Sequence, residues 1–382
     1  MKKLIVDAGA IAEPNRSGVG HTAYRLVLGL ANDQKFTSMY DIVLVVAFNK
    51  VNLIDKELRD KVRIRRVFIP GRVMNAFVRY RLLPPMDIFF GRGVYLFPNF
   101  KNWPLLWSKS VTYIHDVYFR VNREHIEPRN LSFLEQHVET FIQRADRIVT
   151  VSQHAKTEIE RYFPHARRKV SVVYNGIDKE EFYPRSLDEQ RAVVEKYHVA
   201  PGEYFMYLSN LEPRKNVGTL LDAYKYYSDR NSDKKQLVLV GGMGWNNEAI
   251  VRKIQDMQKK GYGVVKPTKY VPDEDIPALL SGAVALVHPA YYEGFGLSPL
   301  QAIACDTPVI VGNNSSIPEV VGSNYRGYVD ITDARSIASK MEEAAKGKTK
   351  IDVSMRKQAD RFTWRKSTDD LVKVITSLEY NR

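Results

Sequence analysis

The stretch Val284 to Gln301 constrains this chain more than any other. An apolar run, Val284-Ala285-Leu286-Val287-His288, is followed at short range by Glu293-Gly294-Phe295-Gly296-Leu297-Ser298-Pro299-Leu300-Gln301. The run reads as a buried strand, and the two glycines let the backbone turn tightly with no Cβ penalty. Ser298 stands where an N-cap belongs and Pro299 where the first helical residue belongs. A strand feeding a helix through a glycine turn is a building unit of α/β domains. The same reading leaves the amides of Phe295 to Leu300 at a helix start above the strand ends, an anion site suited to a diphosphate.

Apolar runs recur along the chain. In the first half, residues 4–6, 42–47, 64–69, 94–97, 111–114, 147–151 and 170–174 read as strands, separated by helical or loop stretches such as 131–145 and 154–162. Residues 179–201 are charged, carry Pro184 and Pro201, and read as a linker with one short helix. A second series follows at 204–208, 236–240, 284–288 and 308–311. Such alternation argues for parallel sheets with helices on their faces. Two series joined by a linker predict two facing Rossmann-like domains, with ligands beyond the carboxyl ends of the strands. A chain of 382 residues is long enough for two such cores.

The turns after the strands hold the candidate chemistry. Ser17-Gly18-Val19-Gly20 opens a helix, and a Gly-x-Gly there serves either tight packing or a phosphate. Ser209-Asn210-Leu211-Glu212-Pro213-Arg214-Lys215-Asn216 follows the strand at 204–208. Its adjacent cations, Arg214 and Lys215, can neutralise the charge that builds on a leaving diphosphate. Gly241-Gly242-Met243-Gly244 follows the next strand, and His115-Asp116 follows the strand at 111–114. Asp273-Glu274-Asp275 has the Asp-x-Asp spacing of a metal site, but these carboxylates fall at a helix start and are expected to cap it and complement its dipole.

Bulk properties limit the partners. The single cysteine, Cys305, excludes a disulfide framework within one chain and suits a reducing compartment. Asp7 interrupts the first apolar run too early for a signal peptide, and no stretch approaches a membrane span, so the expected location is cytoplasmic. The net charge of +13 is uneven: 32 basic against 22 acidic side chains in residues 1–200, and 25 against 22 in the remainder. No recognisable nucleic-acid reading element accompanies it. Within residues 70–107, Arg72, Arg79, Arg81, Arg92 and Lys101 are interleaved with aromatic residues, among them Phe77, Tyr80, Phe89 and Trp107. That mixture suits an anionic membrane interface or a lipid-linked acceptor, which would make the chain peripheral at the inner face of a membrane.

Glu293 with Gly294-Phe295-Gly296-Leu297, a polar residue eight positions after the Glu, Ala302-x-Ala304-x-x-Thr307-Pro308-Val309-Ile310 and Glu212-Pro213-Arg214-Lys215-Asn216 together resemble the retaining glycosyltransferases of family 4, which have the GT-B fold. The resemblance covers nearly the whole chain, strongest from Asn210 to Glu319. It departs at Gln301, where the family usually has Glu, and at Ser209, where it commonly has Gly. It implies an α/β fold of two facing Rossmann-like domains with an interdomain cleft. Residues 1–183 would form the acceptor domain, joined by a C-terminal helix, 364–382, that crosses back; residues 184–363 would form the nucleotide-sugar donor domain.

The resemblance also implies roles. Arg214 and Lys215 hold the diphosphate with the amides around Gly294, Phe295, Gly296 and Leu297. Glu293 holds sugar hydroxyls, Gln301 the ribose, and His115 the donor sugar. Gly18, Gly20, Ser209, Asn210 and Gly241 line the donor site, and the backbone near Val271 lies by the nucleotide base. The implied reaction is metal-independent, cofactor-free transfer of a hexose with retention. The Ser-Gly-Val-Gly and Glu-Pro-Arg-Lys-Asn forms look most like bacterial mannosyltransferases of polysaccharide assembly, which favours GDP-mannose as donor and a saccharide or polyprenyl-linked saccharide as acceptor. The rival reading is a homologue that binds nucleotide sugar or acts as a scaffold with weak or no turnover; Gln301 and Ser209 speak for it.

Overall fold

The computed structural model describes residues 1–14, 16–68, 73, 76–77, 79–80 and 82–378. Arg72 and Arg81 of the basic-aromatic segment, and the last residues of the C-terminal helix, lie outside the described residues. Two compact units divide the chain: Met1–Arg123, Pro128–Gly176 and Thr363–Arg382 form the first, Glu124–Glu127 and Ile177–Phe362 the second.

The first unit is built on β1 (Lys2–Asp7), β2 (Tyr40–Ala47), β3 (Arg63–Val67), β4 (Val94–Phe97), β5 (Lys109–Tyr113), β6 (Arg147–Thr150) and β7 (Val170–Val172), in the order β3-β2-β1-β4-β5-β6-β7. Every pairing is parallel, with Leu4 of β1 opposite Ile42 on one side and Val94 on the other. Near-continuous apolar strands of this kind need cover on both faces. The helix Gly18–Asn32 supplies part of it: Ser17 caps its start by accepting from the Gly20 amide at 3.3 Å, and Leu26, Val27 and Leu30 point into the core. The helix Trp364–Ser377 packs beside it through Leu371, Val374 and Ile375. The two approach so closely that a Cβ on Gly29 would fall 2.1 Å from the Thr368 hydroxyl oxygen.

The second unit carries β8 (Tyr204–Leu208), β9 (Gln236–Val240), β10 (Val264–Val265), β11 (Ala285–His288), β12 (Val309–Gly312) and β13 (Tyr328–Val329), again all parallel, in the order β10-β9-β8-β11-β12-β13. The two-residue edge strands β10 and β13 are too short to leave a period in the sequence. In both sheets the strand order reverses beside the first strand, between β1 and β4 and between β8 and β11. A crevice at the carboxyl ends is expected at such a point.

Two local expectations are corrected. Ser298 is not the N-cap of the helix Leu297–Ala304; Gly296 is, with φ of 105°, and no side chain caps the end. A Cβ at Gly296 would also press on Ile317 Cδ1 at 3.0 Å, so glycine can start the helix earlier than a serine could. Nor do the carboxylates of Asp273 to Asp275 cap a helix. Those residues form a 3₁₀ turn before the helix Ile276–Ser281 with no side-chain cap bond. Asp275 is buried and accepts from Tyr197 Oη at 2.6 Å and Lys196 Nζ at 3.1 Å, while Asp273 accepts from Tyr270 Oη at 2.6 Å. The 3₁₀ turn bonds its own amides, and Pro277 has no N–H to offer, so little remains for a cap to satisfy. Cys305 is buried, and burial pushes its thiol up to about 12.

Candidate functional site

In the second unit the loops above β8 and β11 are bolted together by backbone and amide contacts. Asn216, in the left-handed region with φ of 56°, donates through its side-chain amide to Pro289 O at 3.1 Å and Ile331 O at 2.7 Å. The Tyr291 amide donates to Arg214 O at 3.0 Å. Asn314 donates to Ala290 O at 3.2 Å and Tyr291 O at 2.7 Å. Ser315 and Ser316 grip the backbone of Glu293: its N–H donates to Ser315 Oγ at 3.0 Å and its carbonyl accepts from Ser316 Oγ at 2.8 Å.

That frame fixes a buried charged cluster. Glu293 Oε1 accepts from Lys215 Nζ at 2.6 Å and from His288 Nε2, and all three residues are buried. Burial opposes charge on Glu293, but Lys215 and His288 outweigh it and hold the carboxyl well below the usual range. Burial pulls the Lys215 ammonium down, Glu293 pulls it up, and the neighbouring Arg214 charge adds to the lowering. Arg214 is held by Glu212 Oε1, at 3.1 Å from Nη2 and 3.2 Å from Nε. Both donors to Glu293 use one oxygen, and among the described residues no hydrogen bond engages Oε2. Oε2 keeps its capacity to accept from a hydroxyl. Lys215 is thus a buried cation between the carboxylates of Glu293 and Glu212 and the like charge of Arg214, and a phosphate group has the charge to bind such a pair of cations.

Above these residues the helix Leu297–Ala304 begins. Leu300 N already donates to Gly296 O at 3.2 Å, and Pro299 has no N–H, so the free anion-binding amides are fewer than the sequence suggests. Those of Leu297 and Ser298 have no intrahelical carbonyl to pair with. Phe295 is buried with its ring edge-on to Phe362 at 5.3 Å, which gives its side chain a packing role. Gln301 lies one turn further, half-buried.

Ser209, Asn210 and Gly241 come together. Gly241 has φ of 141°, and a Cβ there would fall 1.9 Å from Ser209 O. Asn210 Oδ1 accepts from the Gly242 amide at 3.1 Å. The Ser209 side chain is tolerated because the close approach uses its carbonyl. Val271 is buried in the loop after β10.

In the first unit the carboxyl edges of β1, β4 and β5 carry Asp7, Lys101 and His115. His115 is buried, and burial lowers its pKa. Its Nε2 lies 3.1 Å from Pro98 O. A carbonyl only accepts, so Nε2 carries the proton and Nδ1 of the neutral ring keeps a lone pair. Asp116 Oδ1 accepts from the Tyr118 amide at 3.0 Å, a turn-forming role. Burial pushes the Asp7 carboxyl up against the opposing pull of the Gly9 amide, 3.0 Å from Oδ1, and of Lys101. Burial pushes Lys101 down, and Asp7 and Glu13 oppose it. Gly20 packs against the loop above β1, where a Cβ would meet Ala10 O at 2.6 Å, whereas Gly18 is exposed at the helix start.

Sequence reasoning missed His288 and Asp7 as candidate site residues, and it placed Lys101 only within the basic-aromatic segment. His288 closes a buried strand and reads as core, and its ring does stack on Tyr207. Asp7 ends the first strand beside a topological switch, and that position was the available signal.

Residues 17–181 match the family described as Glycosyltransferase Family 4, and residues 190–363 match Glycosyl transferases group 1. The chain is 30% identical over 283 residues to the O-antigen chain mannosyltransferase B of Escherichia coli, covering 73% of each protein. It is 26% identical over 280 residues to the serotype-specific mannosyltransferase WbdA of Escherichia coli, where the match takes in 71% of this chain and 34% of that longer protein. Among solved structures, the sucrose-phosphate synthase of Thermosynechococcus elongatus superposes with a TM-score of 0.75 at 18% identity, covering 100% of both chains.

Proposed function

The chain belongs to glycosyltransferase family 4 and has the GT-B fold, and from that premise we propose that it transfers mannose from GDP-mannose, with retention, to a saccharide carried on a polyprenyl lipid. The observation that carries the reading is the buried Lys215–Glu293–His288 cluster below the start of the helix Leu297–Ala304 at the β8/β11 switch point.

The donor's diphosphate takes Lys215, Arg214 and the amides of Leu297 and Ser298. Glu293, kept ionised, accepts from sugar hydroxyls through Oε2. The acceptor hydroxyl attacks C1 of the sugar from the face that the phosphate leaves. The C1–O bond to phosphate breaks as the new one forms, and the acceptor's proton passes to the departing phosphate oxygen. Catalysis on this route is mainly stabilisation of that phosphate, and two cations with a helix start supply the positive charge without a metal ion. No pair of carboxylates is needed, unlike in double displacement. On the other substrate, Asp7 and Lys101 bind acceptor hydroxyls, on the strand-end edge that also carries His115. Placement in O-antigen-type assembly follows the mannosyltransferase relatives, and a polyprenyl-linked acceptor would keep the enzyme peripheral at the cytoplasmic face of a membrane. No helix among the described residues is long and apolar enough to cross one.

A panel of nucleotide sugars, assayed for nucleotide release with chelator present, tests the reading. GDP-mannose should turn over, and Lys215→Ala should lower the rate at saturating donor about a hundredfold, the equivalent of about 3 kcal/mol in the transition state. Asp7→Asn should raise the acceptor KM and leave slow donor hydrolysis unchanged. Normal rates for Lys215→Ala, or turnover that vanishes with chelator and returns with manganese, would overturn the assignment. No turnover with any donor would favour the binding-protein reading.

A further inference from the structure

The described residues from Asp87 onward in the basic-aromatic segment divide between the two ends of the first sheet. Phe97 to Lys101 lie at the carboxyl edge, above the strand ends. Residues 87–93 and 105–109 lie at the opposite, amino edge, because they lead into β4 and β5. There a single buried carboxylate organises the surface. Asp87 Oδ2 accepts from the amides of Leu106 at 3.1 Å, Trp107 at 2.8 Å and Ser108 at 2.9 Å, and Oδ1 accepts from Leu106 at 2.9 Å. The loop is thereby clamped to the short helix Asp87–Phe90, and the neighbouring Phe90 packs on Trp103 of the core at 5.9 Å.

The clamp holds four large apolar side chains outward in fixed positions: Ile88 is 53% exposed, Phe89 65%, Leu106 57% and Trp107 53%. Isolated exposed apolar residues are ordinary, but a rigid group of four is not. The surrounding charge is of one dominant sign. Lys2, Lys3, Arg92, Lys109, Arg147 and Lys169 begin or immediately precede strands along this edge. Arg92 lies over the Trp107 ring at 5.3 Å, and Asp146 pairs with Lys109 at 3.0 Å.

We infer that this amino-edge platform is where the enzyme docks on an anionic lipid bilayer, with Phe89 and Trp107 inserted among the headgroups and the flanking cations on lipid phosphates. The inference rests on the reading of the chain as a peripheral enzyme and adds the surface it uses. Apolar and aromatic tips ringed by lysine and arginine match the chemistry of an anionic interface. The geometry also bears on the acceptor. Six residue steps of extended chain separate Lys109 from His115, roughly 20 Å at the usual rise. The acceptor end therefore stands well above the headgroups, which suits a lipid-linked chain already several sugars long.

The test is cosedimentation of the full chain with vesicles of phosphatidylcholine, with and without phosphatidylglycerol, at low and high salt. The wild type should bind the anionic vesicles and release them as salt rises. The surface variant Phe89→Ser/Trp107→Ser should bind at least about tenfold more weakly, and Arg92→Glu about fivefold or more. Both variants should keep normal donor hydrolysis, since all three residues lie at the amino edge of the first sheet and the donor residues Lys215 and Glu293 lie in the second unit. Variants that bind like the wild type, or a wild type that does not bind anionic vesicles, would overturn the inference. So would a dimer in solution that Phe89→Ser/Trp107→Ser converts to a monomer, which would make the platform an interface between copies. Donor hydrolysis, read without vesicles, reports separately on the enzymatic reading.

Discussion

At the scale of single residues, Gln301 is one of two positions, with Ser209, where this chain leaves its family's usual pattern. A carboxylate accepts from two vicinal hydroxyls, whereas the amide accepts from one and donates to the other. A contact from Gln301 to the ribose would be remote from the bond that breaks, and so equally strong in ground and transition states. Gln301→Ala should therefore raise the donor KM about fivefold, or about 1 kcal/mol, with little change in kcat, and Gln301→Glu should remain active. Steady-state kinetics with varied donor checks this; unchanged donor affinity would remove Gln301 from the ribose. His115 makes a prediction in pH. Its folded-state pKa is lowered, with burial the main cause, so below the unfolded value of about 6.5 the unfolded chain binds more protons than the folded one. This contribution is present above that pH and falls as pH drops through it, by up to about 1.4 kcal/mol per unit for one group. Denaturant unfolding at neutral and mildly acid pH should show a smaller loss for His115→Gln than for the wild type.

At the scale of elements, the strands and the glycine turns were legible and the details of the turns were not. The strands at 94–97, 204–208 and 236–240 coincide with β4, β8 and β9, because apolar runs flanked by turn residues have few other uses. The helix start at 297 was misplaced because Ser298 is a good cap by type, while the positive φ of Gly296, where a Cβ would also meet Ile317 of another element, leaves no local pattern. Asp275 was read locally as a cap, but its partners Lys196 and Tyr197 are far away in sequence. Tertiary partners of this kind are invisible to any local pattern. The Lys215–Glu293 pair was anticipated as two separate roles, and only the fold shows that one oxygen serves both Lys215 and His288. The close approach of the β8 and β9 loops makes a prediction at this scale. Gly241→Ala would place a Cβ against Ser209 O in a backbone region that L residues avoid. It should cost more than about 1 kcal/mol of stability and weaken donor binding. Thermal melts with and without nucleotide would show both effects, and a normal melt with normal nucleotide stabilisation would contradict them.

At the scale of the molecule, two parallel sheets each reverse their strand order beside their first strand, and each reversal carries charged residues that burial perturbs: Asp7 and Lys101 in one unit, Lys215 and Glu293 in the other. One unit is read as the acceptor site and the other as the donor site, with a lipid-facing platform at the far end of the first sheet. The central claim is that these parts transfer mannose with its configuration kept. The most direct measurement is the anomeric configuration of the product, read by nuclear magnetic resonance after incubation with GDP-mannose, chelator and a lipid-linked oligosaccharide fraction. The account predicts an α-mannoside, matching the α-linked donor, with release of GDP; a β-mannoside would contradict it.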